Sequence, residues 1–360
     1  SERRKLKGEA DGWVFFNRTA NLLMIVAFGL TLVGCLFSRE VFMLYGGYGL
    51  LARGETEYIA LGSRLTRIMF PFVIGLTIAS LMMGACHPVR SFAAPSLGSV
   101  MLNITMIGAG LLALVLKTPN DRTAIWLAWS VLAGAVLRVV IMIPSLRAHG
   151  WRWRPEFVFA DPQLHKLIKM MGLGLISVAI VQVNFQVGNF FAMFLGAGFK
   201  TQIVYAQRLI QFPMALTAMA VATAMLPQIA QYLQEGRMGE LRAMMALSKR
   251  VEILMMTPAM LGLILLGYPI IEMILQRNNW SAGDSYGTYG ALIFYALGLL
   301  PMGWSQLMMR LYYAHQDMVT PIKAAFVSML VNVFFNYLFG FYTRLDQGGL
   351  ALAYTLASFA

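Results

Sequence analysis

The chain has 360 residues, of which 59% are hydrophobic and only 12% are charged. Soluble domains carry about a quarter charged residues, so this composition excludes a soluble globular protein and indicates many membrane spans. The formal net charge of +12 fits basic loops at an anionic cytoplasmic membrane face. No nucleic-acid partner is expected, because no basic run with interleaved aromatic residues lies on a soluble segment.

Apolar runs long enough to cross a bilayer core of about 30 Å follow one another along the chain. They predict membrane helices at 13–37, 66–86, 91–116, 124–145, 167–196, 201–230, 249–274, 287–311 and 321–342, with a tenth that begins near 349 and is cut off at Ala360. Most Lys and Arg residues of the connections fall on the side of the N-terminus, which predicts a cytoplasmic N-terminus.

Two cytoplasmic connections have an amphipathic pattern. The segment 147–169 places Trp151 and Trp153 among basic residues, and the segment 231–250 has a similar pattern. Both patterns favour helices that lie on the cytoplasmic membrane face.

An internal repeat relates the two halves of the chain. "LMMGACHPVRSFAAP" (81–95) resembles "LMMRLYYAHQDMVTP" (307–321), and "GEADGWVFFNR" (8–18) resembles "GELRAMMALSKR" (239–250). Both pairs fall at matching places among the predicted helices, which indicates a parallel repeat of about six helices, as in many transporters. The sequence therefore predicts an all-α integral membrane protein with two six-helix lobes.

The repeat also predicts the limits of the two lobes. We expect a partial N-terminal lobe at 1–146, a cytoplasmic amphipathic linker at 147–166 and a C-terminal lobe at 167–360. The helices at 167–196 and 201–230 should have counterparts before residue 1. The expectation is thus a fragment that lacks two N-terminal helices and stops within the last helix of its C-terminal lobe.

Enzyme chemistry is not favoured by the sequence. The carboxylates fall in predicted loops or near helix ends, with Glu252 and Glu272 closest to membrane depth, and no P-loop, nucleophile elbow or metal-binding motif occurs. The polar residues within the spans are the better indication of function.

The most informative of these residues is Arg208, in "VYAQRLIQFP" (204–213). A central arginine costs about 2.5–3.5 kcal/mol on insertion scales, so it normally faces a bundle interior or a wet cavity. Tyr205 and Gln211 share its helix face, at i, i+3 and i+6. Because guanidinium binds phosphate with two parallel hydrogen bonds, this face predicts an anionic, phosphorylated substrate. The alternative is that these side chains only join helices to one another.

Amides on other helices extend this polar set. Gln182, Gln186 and Asn189 share one face of the preceding helix, and a short loop should bring Asn189 to the depth of Arg208. Asn332 and Asn336 lie at i and i+4 on the ninth helix, and Thr355 lies on the tenth. Together with Asn189, these residues form a candidate cation site for Na⁺, although a neutral packing cluster explains the same pattern.

Three stretches are similar to one transporter family. They are "YAQRLIQFPMALTAMAVATAMLPQIAQ" (205–231), "FPFVIGLTIASLMMGACHPVRSFAAPSLGSVMLNITMIG" (70–108) and "HQDMVTPIKAAFVSMLVNVFFN" (315–336). They resemble the MurJ (MviN) family of lipid II flippases, in the multidrug/oligosaccharidyl-lipid/polysaccharide exporter superfamily. The resemblance covers essentially the whole chain, as helices three to twelve of the family's fourteen.

This resemblance implies two lobes around a cationic central cavity, with Arg208 at the position of a cavity arginine. It implies a monomeric, non-enzymatic transporter of the bacterial cytoplasmic membrane. Its substrate would be lipid II, the undecaprenyl-pyrophosphate-linked precursor of peptidoglycan, moved from the inner to the outer leaflet by alternating access among membrane lipids. A polysaccharide or multidrug exporter of the same superfamily and a non-transporting scaffold for cell-wall synthesis remain alternatives.

The chain departs from the family pattern at positions that matter for coupling. Gln207 occupies a position where some members of the family have an acidic residue. Asn189 and Asn336 occupy positions that resemble an aspartate site of the sodium-binding members. Asn332 and Thr355 are retained. Loss of two negative charges disfavours Na⁺ coupling, and the membrane potential or protons are the other candidates for the energy source. No cofactor is expected.

Overall fold

The structure is a computed structural model, and it describes most of the chain. The described residues are 9–86, 91, 93–155, 162–196, 198–219, 221, 225, 228–229, 231–233, 235–315, 317, 319–343 and 345–359. Within these ranges the backbone is helical apart from short connections. This confirms the prediction of an all-α protein.

The described residues contain fourteen α-helices with assigned bounds, numbered in chain order. They are α1 (Glu9–Leu36), α2 (Ser38–Phe42), α3 (Tyr48–Ala52), α4 (Thr56–Met69), α5 (Phe72–Cys86), α6 (Ala93–Val115), α7 (Asn120–Ala148), α8 (Pro162–Leu195), α9 (Phe199–Met214), α10 (Met238–Leu275), α11 (Ala282–Leu297), α12 (Leu299–Ala314), α13 (Val319–Tyr342) and α14 (Asp346–Ala357). The π-helical turn Met43–Gly47 joins α2 to α3, and a second one, Ala215–Met219, directly follows α9.

Most of the predicted spans correspond to observed apolar helices. Six helices or continuous helix pairs of the described residues are long and apolar enough to cross a membrane, and the bent pair α11–α12 makes a seventh. The predicted span 201–230 begins as α9, but part of its second half lies outside the described residues. The chain therefore has the helical composition of a multi-pass membrane protein.

The predicted span 287–311 is not one straight helix. It is divided into α11 and α12, which meet at Gly298 with a bend of 49°. Pro301 follows in the first turn of α12 and has no backbone N–H, so it cannot donate to the carbonyl four residues earlier. A Cβ atom on Gly298 would lie 2.7 Å from the Thr355 hydroxyl oxygen. Glycine at the bend therefore allows α14 to approach closely.

The chain divides into two compact units, Ser1–Ile168 and Lys169–Ala360. In the first unit, α6 and α7 pack along each other, and α5 packs on α7. A core at one end of these helices contains Met82, Cys86, Met142 and Leu146. The side chain of Trp151, from beyond α7, completes this core.

The segment that follows α7 is not helical, whereas its sequence favoured a surface helix. Gly150 has a φ of +82°, which ends the helical course, and residues 151–155 are not helical. Asn17 on α1 donates to the carbonyl of Arg152 (2.9 Å) and accepts from the Trp151 indole (3.0 Å). Asn21 repeats the pattern two residues along, with the carbonyl of Arg154 and the indole of Trp153.

The two asparagines and the two Trp-Arg pairs that they contact have matching spacings. Two asparagines four residues apart on a helix are separated by about 6 Å along its axis. Two residues of an extended chain cover about 6.6 Å. Each amide of α1 therefore meets one Trp-Arg pair of this segment. Of the rest of the predicted linker, 156–161 lies outside the described residues, and 162–166 is helical as the start of α8.

The second unit has its own core where α8, α9, α11 and α14 meet. Its buried members include Ala192, Ile203, Ala206, Leu292 and Leu350. The small residues Ala192 and Ala206 allow helices to approach closely, as is common in membrane bundles. This core fixes which face of α9 points inward.

Candidate functional site

Helix α9 has one buried face and one exposed face. Ile203, Ala206, Gln207 and Ile210 are buried against neighbouring helices. Arg208 and Gln211 are exposed, and Tyr205 is half-buried. Their spacing of three residues keeps these three positions on one side of the helix.

Arg208 makes no hydrogen bond or ion pair within the part of the chain that the structure describes. This observation disfavours the alternative in which Arg208 only joins helices to one another. Its guanidinium presents five donors that no described side chain occupies. An anionic ligand would pair with the guanidinium charge and accept hydrogen bonds from these donors.

The residue before Arg208 has a different role. Gln207 is buried, and its amide nitrogen donates a hydrogen bond to the hydroxyl of Tyr295 on α11, over 3.0 Å. Tyr295 is itself almost fully buried. This bond helps to set the rotation of α9, and the rotation places Arg208 outward.

Tyr205 contacts the connection between α10 and α11. Its ring meets the ring of Trp280 edge to face, with 5.2 Å between centroids. The Trp280 indole donates to the hydroxyl of Ser285 on α11 (3.1 Å). The contact with Trp280 covers part of Tyr205, and the rest of its surface is accessible on the same side of α9 as Arg208.

The three amides predicted on α8 differ in exposure. Gln182 is exposed, Gln186 is half-buried and Asn189 is buried. The Asn189 amide nitrogen donates to the side-chain oxygen of Gln186, over 2.9 Å. The structure therefore brings Gln186 and Asn189 together. It shows no hydrogen bond from either residue to Arg208 among the described residues.

Asn332 and Asn336 form a fully buried pair on α13. The amide nitrogen of Asn336 donates to the side-chain oxygen of Asn332 (2.6 Å) and to its backbone carbonyl (2.8 Å). Asn332 in turn donates to the side-chain and backbone oxygens of Asn184 on α8. Asn184 donates to Ser328, and Ser328 donates to the carbonyl of Ala357 on α14.

Asn336, Asn332, Asn184 and Ser328 are thus connected in series, and this set is called the asparagine relay. It includes a residue that the sequence analysis did not single out. Asn184 connects α8 to α13, but it is two residues from Gln182 and so lies off the face formed by Gln182, Gln186 and Asn189. Thr355, the fourth residue of the candidate cation site, donates to the carbonyl of Phe294 (2.6 Å) instead. The asparagine relay and Thr355 are not joined by a hydrogen bond among the described residues.

Two observations on the candidate cation site bear on cation binding. The side-chain oxygens of Asn189 and Asn336 are buried without a hydrogen-bond partner among the described residues, so both have free lone pairs. However, no group of three or more acidic, cysteine or histidine side chains suited to a metal occurs in the described residues. A buried Na⁺ here would meet neutral oxygens and no compensating negative charge. These neutral oxygens are therefore a poor set of ligands for a buried monovalent cation.

Solved structures identify the fold as that of a class of membrane transporters. An inward-facing multidrug resistance MATE family transporter of the MOP superfamily superimposes with a TM-score of 0.77, at 12% identity, over 95% of this chain and 78% of that one. A lipid II flippase MurJ in an inward closed conformation gives a TM-score of 0.79, at 22% identity, over 98% of this chain and 72% of that one.

The sequence identifies the family within this class. The family profile described as "Lipid II flippase MurJ" matches residues 2–360, and the chain belongs to this family. A probable lipid II flippase MurJ of Vibrio cholerae is 28% identical over 349 residues, which cover 95% of this chain and 65% of the relative. A lipid II flippase MurJ of Burkholderia cenocepacia is 27% identical over 296 residues, covering 81% of this chain and 56% of the relative. The chain thus spans about three fifths of the length of these curated relatives.

Proposed function

We propose that the protein containing this chain moves lipid II from the inner to the outer leaflet of the bacterial cytoplasmic membrane. Family membership over residues 2–360 supports this function, as does the helical fold shared with alternating-access transporters. The single observation that carries the proposal at the level of residues is Arg208. It is an exposed guanidinium that has no partner among the described residues, in the middle of an otherwise apolar segment.

Arg208 would bind the pyrophosphate of lipid II. A guanidinium donates two parallel hydrogen bonds to phosphate oxygens and stays charged at every physiological pH. Tyr205 and Gln211, on the same side of α9, add a hydroxyl and an amide for neighbouring oxygens of the headgroup. Gln182 and Gln186 on α8 are proposed as further polar contacts, and their neutral amides suit sugar hydroxyls.

The asparagine relay is proposed as a neutral packing cluster that needs no Na⁺. Its donors already serve carbonyl and amide oxygens from α8, α13 and α14, so it holds the second unit together. Asn189, Asn332, Asn336 and Thr355 would then act through helix packing, and transport would draw its energy from another source. We further propose that the protein works as a monomer among membrane lipids, with no nucleic-acid partner and no catalytic step.

Rescue of bacteria depleted of their own flippase tests the proposal. In the full-length protein, Arg208→Ala should abolish rescue, whereas Arg242→Ala, at an exposed position of α10, should rescue normally. Outward exposure of lipid II in the same cells separates a flippase from a multidrug or polysaccharide exporter. Full rescue by Arg208→Ala at normal expression would contradict the role of this arginine. Rescue without lipid II exposure would favour an exporter or a scaffold.

A further inference from the structure

One buried carboxyl group has no place in the proposed binding face. Glu252, on α10, is only 2% exposed. Both of its carboxylate oxygens are buried, and neither has a hydrogen-bond partner among the described residues. A glutamate is almost never fully buried unless it is paired, so this environment needs an explanation.

The carboxyl group is held at the contact between α10 and α12. A methyl group at Gly303 on α12 would overlap Oε1 of Glu252, so glycine leaves room for the carboxyl group in this position. The terminal methyl of Met256, one turn further along α10 and fully buried, would lie 3.4 Å from the same methyl position. The indole nitrogen of Trp304, next to Gly303, is also buried without a described partner. The contact is thus tight and largely apolar.

No cation of the described residues compensates the Glu252 carboxyl group. On α10 itself, Lys249 and Arg250 are exposed, as is Arg208 on α9. Arg310 on α12 lies seven residues from Gly303, or about 10 Å along the helix. On α11, Tyr289 donates to the carbonyl of Ile264, and Tyr295 accepts from Gln207. The π-helical turn Ala215–Met219 carries no titratable residue. None of the ion pairs of the described residues includes Glu252.

An ionised carboxylate in such a place loses its hydration and gains nothing in return. A carboxyl group can avoid this cost by holding a proton, because the neutral acid is far less costly to bury. Lys249 and Arg250, just before Glu252, belong to the basic connection that the sequence predicts on the cytoplasmic side. A proton released from Glu252 would therefore pass to water on that side.

We propose that Glu252 is a proton-binding site that couples protonation to the packing of α10 against α12. In the packed state the side chain is a neutral carboxylic acid. When the two helices separate, water reaches the carboxyl group, its O–H bond breaks, the proton passes to water and the electron pair stays on the oxygen. High cytoplasmic pH would then favour separation, and low pH would favour packing. Any link between this step and lipid movement rests on the proposed function.

Infrared difference spectroscopy of the full-length protein in nanodiscs tests the site directly. The difference between acid and alkaline samples should contain the C=O band of a neutral carboxylic acid, and Glu252→Gln should lose it. Glu272→Gln is the matched control, because Glu272 lies on the same helix but is exposed. The band should survive in this control. A band unchanged in Glu252→Gln would overturn the proposal.

Thermal unfolding at several pH values gives a second readout. If folding retains a proton on Glu252, the midpoint temperature of the wild type should fall relative to that of Glu252→Gln as the pH rises. Glu252→Met supplies a second neutral side chain of similar length. A constant difference across pH would contradict the proposal, and so would failure of both neutral variants to fold, because the site should accept a neutral group.

These measurements are independent of lipid II. A protein that fails to move lipid II but shows the Glu252 band would retain the proton site and lose the proposed function. A protein that moves lipid II at a rate that depends on Arg208, but lacks the Glu252 band, would retain the proposed function and lose the proton site. In a working transport assay, Glu252→Gln should remove the dependence of rate on cytoplasmic pH, and Glu272→Gln should keep it.

Discussion

The side-chain amide of Gln207 donates a hydrogen bond to the buried hydroxyl of Tyr295, 3.0 Å away. The next residue, Arg208, is exposed and has no partner in the part of the chain that the structure describes. Adjacent residues on a helix point about 100° apart, so an anchor at Gln207 helps to set the direction of Arg208. One buried polar contact thereby supports the orientation of the proposed binding residue.

Replacement of Gln207 by leucine should destabilise the protein. The variant leaves the Tyr295 hydroxyl buried without its donor, which costs about 1–3 kcal/mol. Thermal unfolding in nanodiscs should show a lower midpoint temperature for Gln207→Leu. Gln211→Leu, at an exposed position of the same helix, should unfold like the wild type. Equal stability of the two variants would show that the contact with Tyr295 does not anchor α9.

The segment after α7 should depend on the asparagines of α1. Asn17→Ala removes both the donor to the Arg152 carbonyl and the acceptor of the Trp151 indole, so the segment should detach more often. Limited trypsin digestion after Arg152 should become several-fold faster. Asn103→Ala, at an exposed position of α6, is the control. Unchanged cleavage in Asn17→Ala would mean that the Asn17 hydrogen bonds are not needed, and that the Asn21 contacts and the packing of Trp151 hold the segment.

The asparagine relay should be indifferent to Na⁺ until it gains a negative charge. The wild type should unfold at the same temperature in NaCl and KCl of equal ionic strength. Asn336→Asp replaces the donor to Asn332 with a carboxylate, so the variant should be less stable in KCl and recover part of the loss in NaCl. Asn103→Asp, which is exposed, should respond to neither salt. Stabilisation of the wild type by Na⁺ would overturn the neutral-cluster proposal.

Asp317 should contribute to stability in a pH-dependent way. The Thr320 hydroxyl and the backbone N–H groups of Thr320 and Val319 all donate to its carboxylate, and these bonds hold its pKa below the ordinary value. A lowered pKa in the folded state gives stability that is present above the unfolded pKa of about 3.9 and is lost as pH falls through the folded pKa.

The midpoint temperature of unfolding, measured from about pH 6 down to about pH 3, checks this contribution. The wild type should lose more stability on acidification than Asp317→Asn does. Parallel curves for the two proteins would show that this carboxylate does not contribute to the acid sensitivity.

The sequence predicted the spans well because each apolar run must cover a fixed membrane thickness. It also predicted that Tyr205, Arg208 and Gln211 share a face, since helical periodicity sets their relative angles. It did not predict which face of α9 packs, because that depends on Tyr295, 88 residues away. The role of Asn184 depends on the alignment of α8 with α13, which neither segment encodes alone. The course of residues 151–155 depends on their contacts with Asn17 and Asn21 of α1 as well.

The most direct test of the central claim is the affinity of the full-length protein for lipid II in nanodiscs, with and without Arg208. Hydrogen bonds to charged groups contribute about 1.5–3 kcal/mol. Arg208→Ala should therefore weaken lipid II binding about 10- to 100-fold, while Arg242→Ala should bind like the wild type. An unchanged affinity in a folded Arg208→Ala protein would contradict the account of Arg208 as the group that binds the pyrophosphate.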